Sequence, residues 1–210
     1  MEHVIRNSGK LLLVLAFSMI FTMAMPQDNK AILAAFSQSY THETAGEYTK
    51  AVEELKKVYD EHSYEINVRL GWLTYKSGLF TESTAYYQKA MNLKPFSIEA
   101  KIGFVNPAGA LGNWEQVKNQ YIEILKIDAN NTLINYRLGL LYYGKQDYTN
   151  ALKHFEKVIN LYPFDYDSVI MYAWSNFKLG RLREAKVLFN KALMMRPDDS
   201  SALEGIGLIK

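Results

Sequence analysis

The chain has 210 residues, nearly half of them apolar, with 24 basic against 22 acidic side chains and no cysteine. That composition is ample for a packed core, and the near-balance of charge leaves no basic stripe for nucleic acid. Without cysteine there are no disulfides, thiolate metal sites or cysteine nucleophiles, and no acylated cysteine of the kind that marks a bacterial lipoprotein.

The first element is a targeting signal. Arg6 and Lys10 make a basic start, residues 11–25 form a run of 15 uncharged, mostly apolar residues, and Pro26, Gln27 and Asp28 end it. A basic segment, an apolar run and small residues before a cleavage point describe a secretory signal peptide. Thr22 and Ala24 supply the small residues, which predicts a signal at 1–24 and a mature domain at 25–210. A membrane-spanning helix wants about 20 apolar residues, so the run is short for one. A retained anchor is the second reading, since Thr22 is a mediocre residue for its place. Export without disulfides fits a bacterial periplasm or cell envelope better than a eukaryotic secretory route. A retained segment would place the chain on the inner membrane.

Beyond the signal a period of 34 residues governs the sequence. Pro95, Ala129, Pro163 and Pro197 keep that step, as do Ser83, Val117, Ala151 and Ala185; Tyr87, Tyr121, Phe155 and Phe189; and Gly78, Gly112, Gln146 and Gly180. A period in this range means stacked supersecondary units. In the unit 64–97, Arg69, Leu70 and Leu73 fall at helical spacing, Gly78 permits a turn, and Phe80, Ser83, Tyr87 and Ala90 mark a second helix. Pro95 closes the unit because proline cannot continue a helix interior. Copies follow at 98–131, 132–165 and 166–199. A weaker one precedes at about 32–63, carrying Gly46, Tyr48, Ala51, Leu55 and Val58, and a partial copy occupies 200–210. Each helix has one apolar stripe, so every pair must stack on neighbours to bury it.

These residues resemble the tetratricopeptide repeat (TPR) family. The copy at 132–165 carries Leu138, Gly139, Tyr142, Tyr148, Ala151, Phe155, Val158 and Pro163, and the next carries Gly180, Leu182, Ala185, Phe189, Ala192 and Pro197. The resemblance implies an all-α TPR helical-hairpin solenoid, a right-handed superhelix of about five repeats plus a terminal half-repeat. It also implies a scaffold for protein binding, since such folds build surfaces and seldom carry chemistry. Gly139 and Ala151 are expected where the helices of one unit approach closely, and Phe155 and Phe189 between successive units.

Two places depart from the pattern. In the copy at 98–131, Gly103, Pro107 and Gly109 predict a first helix that kinks or ends near Val105, because interior proline costs about 3 kcal/mol and each glycine about 1. This is either degeneration between good units or a local opening of the groove. At the C-terminal end, Ser201 and Glu204 suggest a capping box, and Ile206, Leu208 and Ile209 follow it. That segment reads either as a short cap on the preceding unit or as a surface that docks another chain.

In the TPR arrangement the first helices line a concave face. Its predicted ligand positions are Trp72, Asn106, Leu140 and Trp174, then Tyr75, Tyr143 and Phe177 with Gly109 in the gap. Tyr136 and Ile170 lie one turn earlier, and Phe36 and Tyr40 come from the weaker copy. Aromatic anchors are enriched at binding hot spots, although a stripe at helical spacing is also what a core looks like. The family's clamp for a terminal carboxylate is not repeated: Val68, Trp72, Ile102 and Asn106 occupy its places. Arg69 and Arg137 read as solvated charge at the groove edge. The expected ligand is an apolar or aromatic peptide segment or a partner's helix, with no nucleic acid, cofactor or metal.

No catalytic constellation is legible. His42 and Glu43 begin a zinc-protease motif, but Gly46 stands where the second histidine belongs; His3, His62 and His154 lie on other elements. Asp165 and Asp167, like Asp198 and Asp199, sit in turns where capping accounts for them. Two further function classes remain: a glycan or cell-wall module using the same aromatic face, and a scaffold that self-assembles through its C-terminal end.

Overall fold

The computed structural model describes residues 29–209, so the expected signal at 1–24 lies outside the described residues. Those residues form eleven helices. They pair as hairpins: α1 (Asn29–Thr44) with α2 (Tyr48–Lys56), α3 (Tyr64–Lys76) with α4 (Phe80–Leu93), α5 (Ile98–Ala110) with α6 (Trp114–Ile127), α7 (Thr132–Gly144) with α8 (Tyr148–Leu161), and α9 (Tyr166–Lys178) with α10 (Leu182–Met195). α11 (Ser200–Leu208) packs on α10 and α9. Among the described residues no helix is long and apolar enough to cross a membrane.

Two ladders of local chemistry set the helix ends. Ser63, Ser97, Asn131, Asp165 and Asp199 stand 34 apart, and each side chain accepts a hydrogen bond from the backbone N–H three residues on, starting α3, α5, α7, α9 and α11. Such a cap contributes about 1 kcal/mol. α11 is therefore capped by Asp199 through the Ala202 N–H, and not by the expected Ser201–Glu204 box. The second ladder lies inside the hairpins. Gly46, Gly78, Gly112 and Gly180 have φ of 74 to 78°, a left-handed conformation that ends a helix at little cost to glycine. Gln146 holds the fourth of these places at φ 60°, where a side chain is strained by about 1–2 kcal/mol. Gln146→Gly is accordingly expected to stabilise the fold by about 0.5–1 kcal/mol, read as a higher urea midpoint at unchanged slope.

The stack is keyed by aromatic rings set against glycines. Phe155 is fully buried, and a Cβ on Gly139 would stand 2.6 Å from its ring. Phe189 lies the same way against Gly205 of α11, at 2.3 Å. Tyr87 is held on two sides, by Gly71 of its own hairpin at 2.9 Å and by Gly103 of the next at 2.1 Å. Gly103 is thus required by its neighbour's ring rather than being a degenerate position.

α5 does not end near Val105. It runs through Pro107 to Ala110. Pro107 falls in the last turn, where the only intrahelical bond its missing N–H removes is the one to the Gly103 carbonyl. Burial of Phe104, Val105, Pro107 and Ala108 offsets that loss.

Candidate ligand groove

The first helices α1, α3 and α5 enclose a cavity of about 640 Å³. α1 contributes Phe36 and Tyr40, α3 contributes Tyr64, Val68, Arg69 and Trp72, and α5 contributes Ile102, Gly103 and Asn106. The Tyr87 ring of α4 reaches the cavity where Gly103 leaves room for it. Glu65 and Glu99, in the first turns of α3 and α5, form one lip.

One wall is a polar network that ties α1 to α3. The Arg69 guanidinium forms an ion pair with Glu43 (Nη1 to Oε2, 2.5 Å), and its Nε donates to Ser39 Oγ at 3.3 Å. Its Cζ lies 3.8 Å from the centre of the Tyr40 ring. The second Glu43 oxygen accepts from the Trp72 indole N–H at 2.5 Å, which holds the ring in one orientation. Burial works against ionisation of Glu43, but the hydrogen bonds from Trp72 and Arg69 and the Arg69 charge outweigh it and hold the carboxyl below its ordinary range. Arg69 itself is only 8% exposed, so it is not the solvated edge residue that the sequence suggests. The reason is its partner: Glu43 on the preceding hairpin matches its charge inside the wall. Its Nη2 is buried with no hydrogen-bond partner among the described residues.

The lip carries a device that recurs elsewhere. Lys94 lies over the Tyr64 ring at 4.1 Å and pairs with Glu65 at 3.2 Å. Arg196 lies over the Tyr166 ring at 3.5 Å and pairs with Asp167 at 3.6 Å. The two sets are three repeats apart.

Of the eight predicted ligand residues, Trp72 and Asn106 share this cavity. Tyr75 is half-buried beside it, its ring 6.1 Å from Trp72 and 5.8 Å from Phe80. Tyr136 lies in a separate hollow of about 340 Å³ with Tyr162, Asp165 and Asp167, and its ring is 5.9 Å from Phe155. Leu140 lines a third hollow, of about 590 Å³, with Trp114 and Arg137. Tyr143 packs edge-on against Tyr148 at 5.1 Å. Trp174 is held edge-on by Phe177 and Phe189, and its indole N–H donates to Ser201 Oγ at 2.8 Å. Ile170 is core. The aromatic series is therefore not one continuous stripe: several rings fold back onto their own hairpin.

Two segments match models of one repeat family, described as tetratricopeptide repeat: residues 64–97 and residues 142–206. The crystal structure of a tetratricopeptide repeat protein from Parabacteroides merdae superimposes with a TM-score of 0.73 at 22% identity, over 84% of this chain and 71% of that one. The crystal structure of MamA superimposes with a TM-score of 0.70 at 20% identity, over 80% and 92%.

The chain is a tetratricopeptide repeat protein.

It is similar in sequence to two curated proteins of greater length. The TPR repeat-containing protein YpiA of Bacillus subtilis is 24% identical over 180 residues, 84% of this chain and 42% of YpiA. Human protein O-mannosyl-transferase TMTC1 is 27% identical over 177 residues, 80% of this chain but 20% of its own. This TPR chain thus spans less than half of either relative, and the transferase name describes the human protein. The solved structures are matched at identities that speak for the fold alone, an all-α TPR solenoid. That fold supports a protein-interaction scaffold in general.

Within the TPR frame, sequence reasoning missed Ser39, Glu43 and Tyr64 at the groove. Glu43 had been visible only as half of an incomplete zinc motif. The signal for its real role was its place on the concave side of the first hairpin, about one repeat before Arg69 and Trp72.

Proposed function

We propose that this chain is a non-enzymatic scaffold or adaptor that holds a segment of a partner protein, extended or helical, in the groove between α1, α3 and α5. The observation that carries this reading is the cavity of about 640 Å³, walled by aromatic rings with the Trp72 indole fixed by Glu43. A volume of that size accepts one or two large side chains, and rings already held in place lose little entropy on binding. The histidines support a binding role over a chemical one. His42 bonds Glu47 at 2.7 Å, and His154 stacks on Tyr142 and bonds Asn135 at 3.0 Å. The basic and apolar start of the chain supports export to a periplasm or cell envelope, where the partner would be met.

Affinity capture from bacterial envelope extract, with the native chain beside Trp72→Ala, tests the groove. Folding of both forms is checked by circular dichroism. The expected result is a protein retained by the native chain and lost by the variant, because truncating an aromatic anchor weakens binding by about tenfold or more. Equal capture by both forms would retire the groove as the contact surface.

A further inference from the structure

We propose that the groove selects a partner segment bearing a lysine or arginine, whose cation docks on Glu99 at the aromatic mouth; this rests on the reading of the groove as a peptide site. The repeats themselves supply the comparison. At the second position of the first helix, Glu65 and Asp167 are each met by a cation 29 residues on, Lys94 and Arg196, which also covers the Tyr that precedes the acid. Glu99 holds the same position in its repeat, but Asp128 stands where the cation belongs. Asp128 is engaged locally, accepting from the Asn130 N–H at 3.2 Å and from Asn131 Nδ2 at 3.1 Å. Glu99 accepts a hydrogen bond from the Tyr64 hydroxyl at 2.9 Å, and among the described residues no cation pairs with it.

The charges around the cavity sharpen this. Arg69 is neutralised by Glu43 inside the wall, and Glu65 is taken by Lys94. Lys76 lies over the Trp72 ring at 5.5 Å, and Glu99 is left as the carboxylate on the lip that has no ion-pair partner among the described residues. Its field reaches the floor, where burial first and the Glu99 charge next push the Tyr87 hydroxyl well above the usual range. Aromatic walls next to a lone carboxylate are what a cationic side chain is drawn to, through the ring faces and the charge together. The occupant would place an apolar side chain against Trp72 and its cation at Glu99.

The test uses the full chain and resin-bound pools of random heptapeptides whose central residue is fixed as lysine, arginine, norleucine or glutamate. Native protein is compared with Glu99→Gln, which can still accept from Tyr64, and with Glu204→Gln on α11 as a remote charge control. The expected result is retention of the native chain on the lysine and arginine pools about fivefold better than on norleucine, the size of one modest ion pair. Glutamate pools should be poorest. Glu99→Gln should level the four pools while Glu204→Gln behaves as native. Equal retention of native protein by all four pools, or a basic preference that survives Glu99→Gln, would overturn the proposal and leave the groove reading standing. No retention of folded native chain on any pool would overturn both.

Discussion

Phe155→Ala is expected to lower the unfolding free energy by about 3–5 kcal/mol, the usual cost of emptying a large aromatic site that cannot collapse. Phe155 is fully buried, and its ring fills the space opposite Gly139 of α7 that a Cβ would enter at 2.6 Å. The backbone of α7 cannot close that gap without losing its packing on α8. In a solenoid each unit is supported only by its neighbours, so the loss also weakens coupling of α9 and α10 to the rest. Urea denaturation followed by circular dichroism should therefore show a lower midpoint and a broader transition. A change under about 1 kcal/mol with unchanged breadth would mean that Phe155 is not a key between units.

Removing Glu43 is expected to cost almost as much. Glu43→Ala leaves the Arg69 guanidinium buried without its counter-charge, and breaking one side of a buried pair costs about 3–5 kcal/mol. Glu43 is 22% exposed, which places the expected value at the low end. The same change frees the Trp72 indole, so its fluorescence should shift together with the stability. The double variant Glu43→Ala with Arg69→Met should recover most of the loss, because it leaves no orphaned charge. A double variant no more stable than the single one would show that packing, and not charge, dominates this wall. The pH dependence follows with a definite sign. The folded carboxyl is held below the ordinary value of 4.5, so the unfolded chain binds the proton more readily. The contribution is present above that value and is lost as pH falls through the lower folded pKa. In Glu43→Ala that part of the acid sensitivity should vanish.

Local chemistry was legible in the sequence wherever a single residue or a short spacing decides the backbone. Gly78, Gly112 and Gly180 end helices because of their own φ, and the step of 34 carries that event from hairpin to hairpin. Even Gln146, which breaks the glycine ladder, keeps the left-handed turn, because the stack around it holds the place. The cap ladder from Ser63 to Asp199 was equally readable, though only its two aspartates at 165 and 199 were anticipated. The groove was legible only in part. Trp72 and Trp174 occupy equivalent positions, and periodicity makes them look alike. One is held by a carboxylate from the preceding hairpin and faces the cavity, while the other is enclosed by Phe177, Phe189 and Ser201. Arg69 looked like solvated charge because its partner, Glu43, lies 26 residues earlier on another helix. Pro107 looked like a helix breaker because propensity is a local quantity, whereas the burial that carries α5 past it comes from neighbouring helices. A repeat pattern states which backbone is built and how often. Which side chains meet across successive units depends on how those units stack, and that is a sum of contacts between residues far apart in sequence, to which a local reading has no access.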